Sequence, residues 1–247
     1  MCEAITTSDA GKVIALPARP PYPTAVPLKF SIDGVAQRYP GNTIICHLPA
    51  DSPLIERIIE AQKTLGAHPT FAKSIRFMPS SSFHMTVFDG ARETECEPGM
   101  WPEGREKHPL DDTTALFSAK LCKLGRELAS EGLAPPYRMR FASFSAPEIG
   151  IGLEVRGVTD EEEARMRLLR DRLADTLGFR APNHNAYIFH VTTAYMIRHV
   201  DGADLVELQN TLASLVSLVD IEFELGATEF CTFEDMDVFT RLFYLGE

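Results

Sequence analysis

The chain has 247 residues, 45% of them hydrophobic and 24% charged, with 16 glycines and 17 prolines. This composition excludes collagen-like and largely disordered proteins and leaves enough chain to bury a sizeable core. Lys and Arg number 24 against 35 Asp and Glu, a formal net charge of −11, so the broad basic footprint of a protein that grips long duplex nucleic acid is missing, while a local basic cleft remains compatible. No apolar run approaches the ~20 residues that cross a bilayer, and no basic head with an apolar stretch opens the chain. A soluble, cytoplasmic protein without a membrane partner is expected. Cys2, Cys46, Cys96, Cys122 and Cys231 are odd in number and scattered, with no C-x-x-C pair, which points to reduced thiols rather than a disulfide framework or zinc knuckle.

Residues 1 to about 27 carry Pro17, Pro20, Pro21, Pro23 and Pro27 and read as a tail, because proline blocks helix and interrupts sheet pairing. The expected organisation is a Pro-rich segment over 1–40 followed by one domain over 41–247. Asn42 to Cys46 reads as a strand rich in β-branched residues. Ser52 is placed to cap a helix with Pro53 at its first position, Leu54, Ile58, Ala61 and Leu65 forming one face. Phe83 to Phe88 reads as a strand, and the polar stretch from Gly90 to His108, with its lone Trp101, as a long loop of the kind that forms lids. A helix follows over 112–131, then strands over 137–144 and 149–155. Thr159 and Glu162 make a capping box for a helix presenting Met166, Leu169, Leu173 and Leu177 and stopping at Gly178. Tyr187 to Tyr195 reads as a strand, Leu205 to Leu215 as a helix, and residues 221–225 and 238–245 as closing strands. Helices and strands interleave without the Gly-rich turns of dinucleotide or P-loop folds, and the second half echoes the first: an α+β fold with two similar lobes.

There is no nucleophile elbow, P-loop or H-E-x-x-H zinc motif. What the two halves share is a histidine followed two places on by threonine, in His84-Met85-Thr86-Val87 and His190-Val191-Thr192-Thr193. Residues two apart in a strand share a face, so each His and its Thr point the same way while Met85, Val87 and Val191 point to the core. Roughly one histidine in eight has Ser or Thr at that offset by chance, and His68-Pro69-Thr70 is such a match. It is set aside because proline cannot donate to a ladder. Apolar strand-like neighbours and one copy per half make the other two much harder to obtain by accident.

This pattern resembles the two-histidine (2H) phosphoesterase superfamily, whose members carry two His-apolar-Ser/Thr-apolar motifs on the strands of a duplicated bilobal α+β fold. His84 to Val87 fits at all four positions. In the second copy Thr193 stands where an apolar residue is usual, a departure on the core side that bears on packing rather than chemistry. The resemblance implies antiparallel sheets flanked by helices, an active cleft between the lobes, and a metal-independent phosphodiesterase acting on a cyclic or 2′,5′-linked nucleotide or short RNA. The implied catalytic set is His84, His190, Thr86 and Thr192, with no cofactor or metal.

That chemistry is self-consistent. One histidine takes a proton from the attacking water or hydroxyl while the other gives one to the leaving oxygen, and a pKa of ~6.5 keeps both forms available near neutrality. Which is acid and which is base stays open. The threonines can donate to the non-bridging oxygens as charge builds there. Substrate contacts are expected from Phe88, read on the face of His84 and Thr86 and able to stack a base, from Arg138 and Arg140, which share one strand face, from Tyr195 at the end of the second motif strand, and from Trp101 as a lid residue. His47, His184 and His199 read as surface or loop residues. The alternatives are a nucleotide- or RNA-end-binding module without turnover, and an unrelated metal hydrolase.

Overall fold

The computed structural model describes residues 19–95, 99–104, 106–145, 147 and 150–247. In chain order its elements are β1 (Gly41–His47), α1 (Pro53–Gly66), α2 (Pro69–Ser74), β2 (Ile75–Phe77), β3 (His84–Arg92), α3 (Leu110–Leu128), β4 (Tyr137–Phe144), β5 (Gly150–Gly157), α4 (Asp160–Leu177), β6 (His190–Met196), α5 (Gly202–Val219), β7 (Glu222–Leu225), β8 (Glu229–Phe233) and β9 (Thr240–Tyr244). The described strands form one sheet in the order β7-β4-β5-β6-β3-β1-β8-β9, with β2 added against β6. Neighbouring strands run antiparallel. Strands β1, β3, β8 and β9 make one lobe and β2 with β4 to β7 the other. The lobes meet where β3 lies beside β6, through the pair Met85 and Val191. The α+β, bilobal plan expected from the sequence is the one found.

Helices flank the sheet in two pairs. Leu54, Ile58, Ala61 and Leu65 of α1 are buried, as their spacing predicts, and Ala61 and Leu65 share a core with Leu208, Leu212 and Leu215 of α5. Phe117, Leu121 and Leu124 of α3 join Met166, Leu169 and Leu173 of α4 in the main core. Thr159 accepts a hydrogen bond from the Glu162 backbone N–H, and Gly178 closes α4 in the left-handed region at φ 87°, which only glycine adopts without strain. At α1 the expected cap is incomplete: Ser52 makes no side-chain cap bond, and Pro53 starts the helix by fixing φ where no N–H is needed. No described helix is long and apolar enough to cross a membrane.

The expected division at residue 40 is not a structural break. Ala25, Val26, Phe30 and Tyr39 are buried in the main core, and the Phe30 ring packs 5.1 Å from that of Tyr195 on β6. The backbone is pinned as Lys29 N–H donates to the Ala25 carbonyl and the Lys29 carbonyl accepts from Gln37. Prolines explain the lack of helix and strand here, but they do not prevent burial. Residues 1–18 of the expected tail lie outside the described residues.

Candidate active site

Both motif strands carry an extra residue at the last position of the motif. Along β3, Ile45 faces Thr86 but Ile44 faces Phe88, so Val87 is bulged out of the ladder. Along β6, Gly152 faces Thr192 but Ile151 faces Ala194, so Thr193 is bulged. A bulge shifts every later side chain to the opposite face. The cleft face of β3 therefore carries His84, Thr86 and Asp89 and, after a second register shift beyond Asp89, Arg92, and that of β6 carries His190, Thr192 and Tyr195; all seven line one cavity of about 220 Å³.

Each bulge frees a carbonyl that a neighbouring helix takes up. The Val87 carbonyl accepts from Nη1 of Arg170 on α4 at 2.6 Å, and the Thr193 carbonyl accepts from Nε2 of Gln62 on α1 at 2.9 Å and from the Met78 N–H. The Thr193 hydroxyl, where the superfamily pattern has an apolar residue, donates to the Ile151 carbonyl at 2.8 Å, so this departure is accommodated within the sheet. Arg170 is only 1% exposed, and its guanidinium stacks 3.7 Å from the centroid of Tyr187, a cavity residue. Arg170→Met keeps much of the volume but orphans the Val87 carbonyl, which costs about 1–3 kcal/mol. Relief of the buried charge offsets part of that, and a net loss is expected as a lower urea midpoint with an unchanged slope.

Continuing the Met85–Val191 register one residue each way sets His84 opposite Thr192 and Thr86 opposite His190. Directly opposed Cβ atoms lie about 4.5–5.5 Å apart and diagonal ones about 7–8 Å. The four side chains form a square with the histidines on one diagonal and the threonines on the other. Nδ1 of His84 lies 2.7 Å from the Ser82 carbonyl and Nδ1 of His190 lies 2.9 Å from the Ile188 carbonyl. A carbonyl only accepts, so each Nδ1 carries the proton and each Nε2 is left to exchange one. Burial pushes the pKa of His84 down to about 3, opposed by the Ser82 carbonyl and reinforced by His47 and His190. Phe239, 4.2 Å away between ring centroids, is part of that enclosure.

Several sequence expectations are corrected here. Phe88 lies beyond the Val87 bulge, so it turns into the core, 2% exposed and packed against Phe179, and does not line the cavity. Arg138 and Arg140 stand on β4, two strands from β6, at about 4.8 Å per strand. Arg138 faces Glu222 and Glu224 of β7, and neither arginine reaches the cavity. Trp101 is 6% exposed within the main core, which leaves no free indole to act as a lid. Residues 96–98 and 105 of that loop lie outside the described residues. Tyr195 does reach the cavity. His184, expected near the surface, is 5% exposed with Nε2 2.7 Å from Asp171.

His47, also expected in a loop, pairs directly with His84 across β1 and β3. Its ring lies 5.9 Å from that of His84, and its Nδ1 lies 2.9 Å from Oε2 of Glu229. Burial favours a protonated Glu229, but the bonds from His47 and the nearby Arg241 prevail and hold its carboxyl below the usual range. With Cys231, this pair forms a His/Glu/Cys group whose donor atoms lie within 4.8 Å of one another, yet Arg241 and His47 already satisfy the carboxylate, the marks of a hydrogen-bonded cluster rather than of a metal centre.

The family model described as 2H-phosphodiest, a domain of unknown function (DUF1868), matches residues 29–148. A conserved protein of unknown function from Agrobacterium tumefaciens, ATU0111, is 28% identical; the match covers 92% of this chain and 94% of that one, with a TM-score of 0.79. The structure of TT0787 from Thermus thermophilus, 15% identical over 85% of this chain and 98% of its own at a TM-score of 0.50, shares the fold. No curated protein matches the sequence.

Proposed function

We propose that this chain, similar over residues 29–148 to the 2H-phosphodiest family model, is a phosphoesterase of the two-histidine type whose activity is the metal-independent cleavage of a cyclic or 2′,5′-linked phosphodiester in a nucleotide or short RNA, by His84, His190, Thr86 and Thr192. The square of side chains at the lobe junction carries this reading. In-line displacement at phosphorus needs proton transfer on opposite sides, and a diagonal of about 7–8 Å leaves a phosphate room between two Nε2 atoms. The threonine hydroxyls on the other diagonal face the non-bridging oxygens. His84, kept neutral by burial, is the base that accepts the proton of the incoming water. His190 is the acid that gives its Nε2 proton to the leaving oxygen, and the two return to their starting states by exchange with solvent. The small cavity and its tyrosine and phenylalanine lining fit a mononucleotide-sized portion of substrate rather than a duplex.

The test is a screen of nucleoside 2′,3′-cyclic phosphates and of 2′,5′- and 3′,5′-linked dinucleotides, with products resolved and chelator present. Turnover of a cyclic or 2′,5′-linked member in chelator supports the reading. Affinity without turnover marks a binding module, and activity lost to chelator and restored by a divalent ion marks a metal hydrolase. The pH profile is a separate check. A base works only when deprotonated, so a lowered His84 pKa keeps it competent to more acid pH. The acid limb of kcat/KM is expected well below 6.5, toward 3, while the alkaline limb reports loss of the proton from the acid.

A further inference from the structure

The cavity extends past the catalytic square to a second cationic feature. Lys29, from the segment before β1, lines it together with Tyr39, Tyr195 and Arg92. The Lys29 ammonium lies 4.9 Å from the ring centroid of Tyr195 and 5.4 Å from that of Tyr39, and 3.5 Å from the Tyr195 hydroxyl. Its backbone is tied on both sides and the adjacent Phe30 is fully buried, so the side chain leaves a fixed point.

The two cations at this end differ in how they are balanced. Arg92 is held in direct ion pairs by two carboxylates, Asp89 at 3.3 Å and Glu95. Lys29 makes no ion pair among the described residues, and two aromatic faces stabilise its charge without neutralising it. Glu95, bonded to the Tyr39 hydroxyl at 2.6 Å, feels the Lys29 charge, but no carboxylate contacts the ammonium directly, so it faces the partly enclosed cavity with its own donors open to an anion.

Position decides which anion. With Thr193 bulged out, Tyr195 stands three ladder steps beyond Val191, the centre of the catalytic square. At ~3.3 Å per step that is about 10 Å. A hydrogen bond spans about 3 Å, so a phosphate centred over Val191 leaves an ammonium seated at Tyr195 available to a different anionic group. We propose that Lys29, framed by Tyr39 and Tyr195, forms a second anion subsite that binds a further phosphate of the substrate, remote from the scissile phosphodiester. The favoured substrate is then a nucleotide with a second phosphate, such as a 5′-phosphorylated cyclic nucleotide or a short 5′-phosphorylated oligonucleotide. This rests on the phosphodiesterase reading above.

The experiment compares adenosine 2′,3′-cyclic phosphate with its 5′-phosphorylated form in the wild-type protein and in Lys29→Met and Lys29→Arg. One charge-assisted contact predicts a 5′-phosphate preference in kcat/KM of at least ~10-fold for the wild type. The preference should drop to within about 2-fold in Lys29→Met and survive largely in Lys29→Arg. A preference equal in all three proteins, or absent from the wild type, overturns the subsite. Should neither compound turn over, the catalytic reading fails while the subsite is still tested: calorimetry then compares adenosine 3′,5′-bisphosphate with adenosine 3′-phosphate. Tighter binding of the bisphosphate that depends on Lys29 sustains the subsite, and equal binding rejects it. If Lys29→Met proves unfolded, Lys29→Arg and a Tyr39→Phe, Lys29→Gln pair of folded proteins make the same comparison, and a preference unchanged in Lys29→Gln rejects the subsite.

Discussion

Replacing His84 or His190 with alanine is expected to lower kcat by at least ~10²-fold, the scale of general acid–base catalysis, with the protein still folded. The reason lies in the two Nδ1 contacts. Among the described residues each imidazole's hydrogen bond runs to a neighbouring backbone carbonyl, of Ser82 or of Ile188, so its removal strips the proton-transfer atom from the cleft without breaking a side-chain hydrogen-bond network. The double variant should be little worse than the poorer single one, because an in-line displacement needs both ends served at once and the residues act as a unit. Circular dichroism and the urea midpoint establish folding, and single-turnover rates on the best compound of the screen give the loss. A folded variant that keeps near wild-type turnover removes that histidine from the mechanism.

Gly90→Ala should be among the most destabilising single-methyl additions in the cleft. Gly90 lies within β3 where the register against β1 shifts again, between the pairs Thr43–Asp89 and Gly41–Arg92. The buried Asn42 fills the gap: its Oδ1 accepts from the Ala91 N–H and its Nδ2 donates to Thr114 of α3, both at 2.9 Å. A Cβ on Gly90 would overlap Asn42 Oδ1 and the Asn42 backbone, standing 2.7 Å from its carbonyl carbon. Backbone does not yield as a flexible side-chain end does, so β1 has to move away from β3. The expected cost is about 3 kcal/mol, the upper part of the range for overpacking, seen as a lower urea midpoint. Because Asp89 and Arg92 flank the site, KM should rise as well. A midpoint within ~0.5 kcal/mol of wild type would show that the strands tolerate the shift.

The chemistry of this protein is more legible in its sequence than the wall around it. A His-x-Thr step needs only strand alternation to put both groups on one face, and alternation holds from His84 to Thr86 and from His190 to Thr192. It fails one residue later, which is why Phe88 reads as a cleft residue and lies in the core, while Asp89 and Arg92 pass unnoticed. Nothing local marks the bulges: Val87 and Thr193 are ordinary strand residues, and what holds them out is Arg170 and Gln62, distant in sequence. Lys29 and Tyr39 hide for another reason. Prolines correctly deny that segment regular structure, but they do not report that Phe30 and Tyr39 are buried. His47 lies one residue past the strand read over Asn42 to Cys46, and β1 extends to include it. β8 does not read as a strand although Phe230, Cys231 and Phe233 are buried, because Glu229 and Thr232 break the apolar run that marks a buried strand. The short α2 and β2 fall below the length at which periodicity is readable.

The matched bulges make each motif strand a two-phase ruler. Before the extra residue the phase is fixed by proton transfer, at offsets 0 and +2 from the histidine. After it the phase is reset, so the next cleft residue falls at +5, Asp89 in one copy and Tyr195 in the other, rather than at +4. Flattening the bulge with Val87 or Thr193 retained would leave the catalytic pair in place and rotate everything downstream by one face, bringing Phe88 or Ala194 to the substrate, whereas deleting the bulged residue would keep Asp89 and Tyr195 in the cleft. Along these strands the bulge therefore decides which side chains meet the substrate, and the +5 positions are where relatives with the same chemistry and different substrates should diverge.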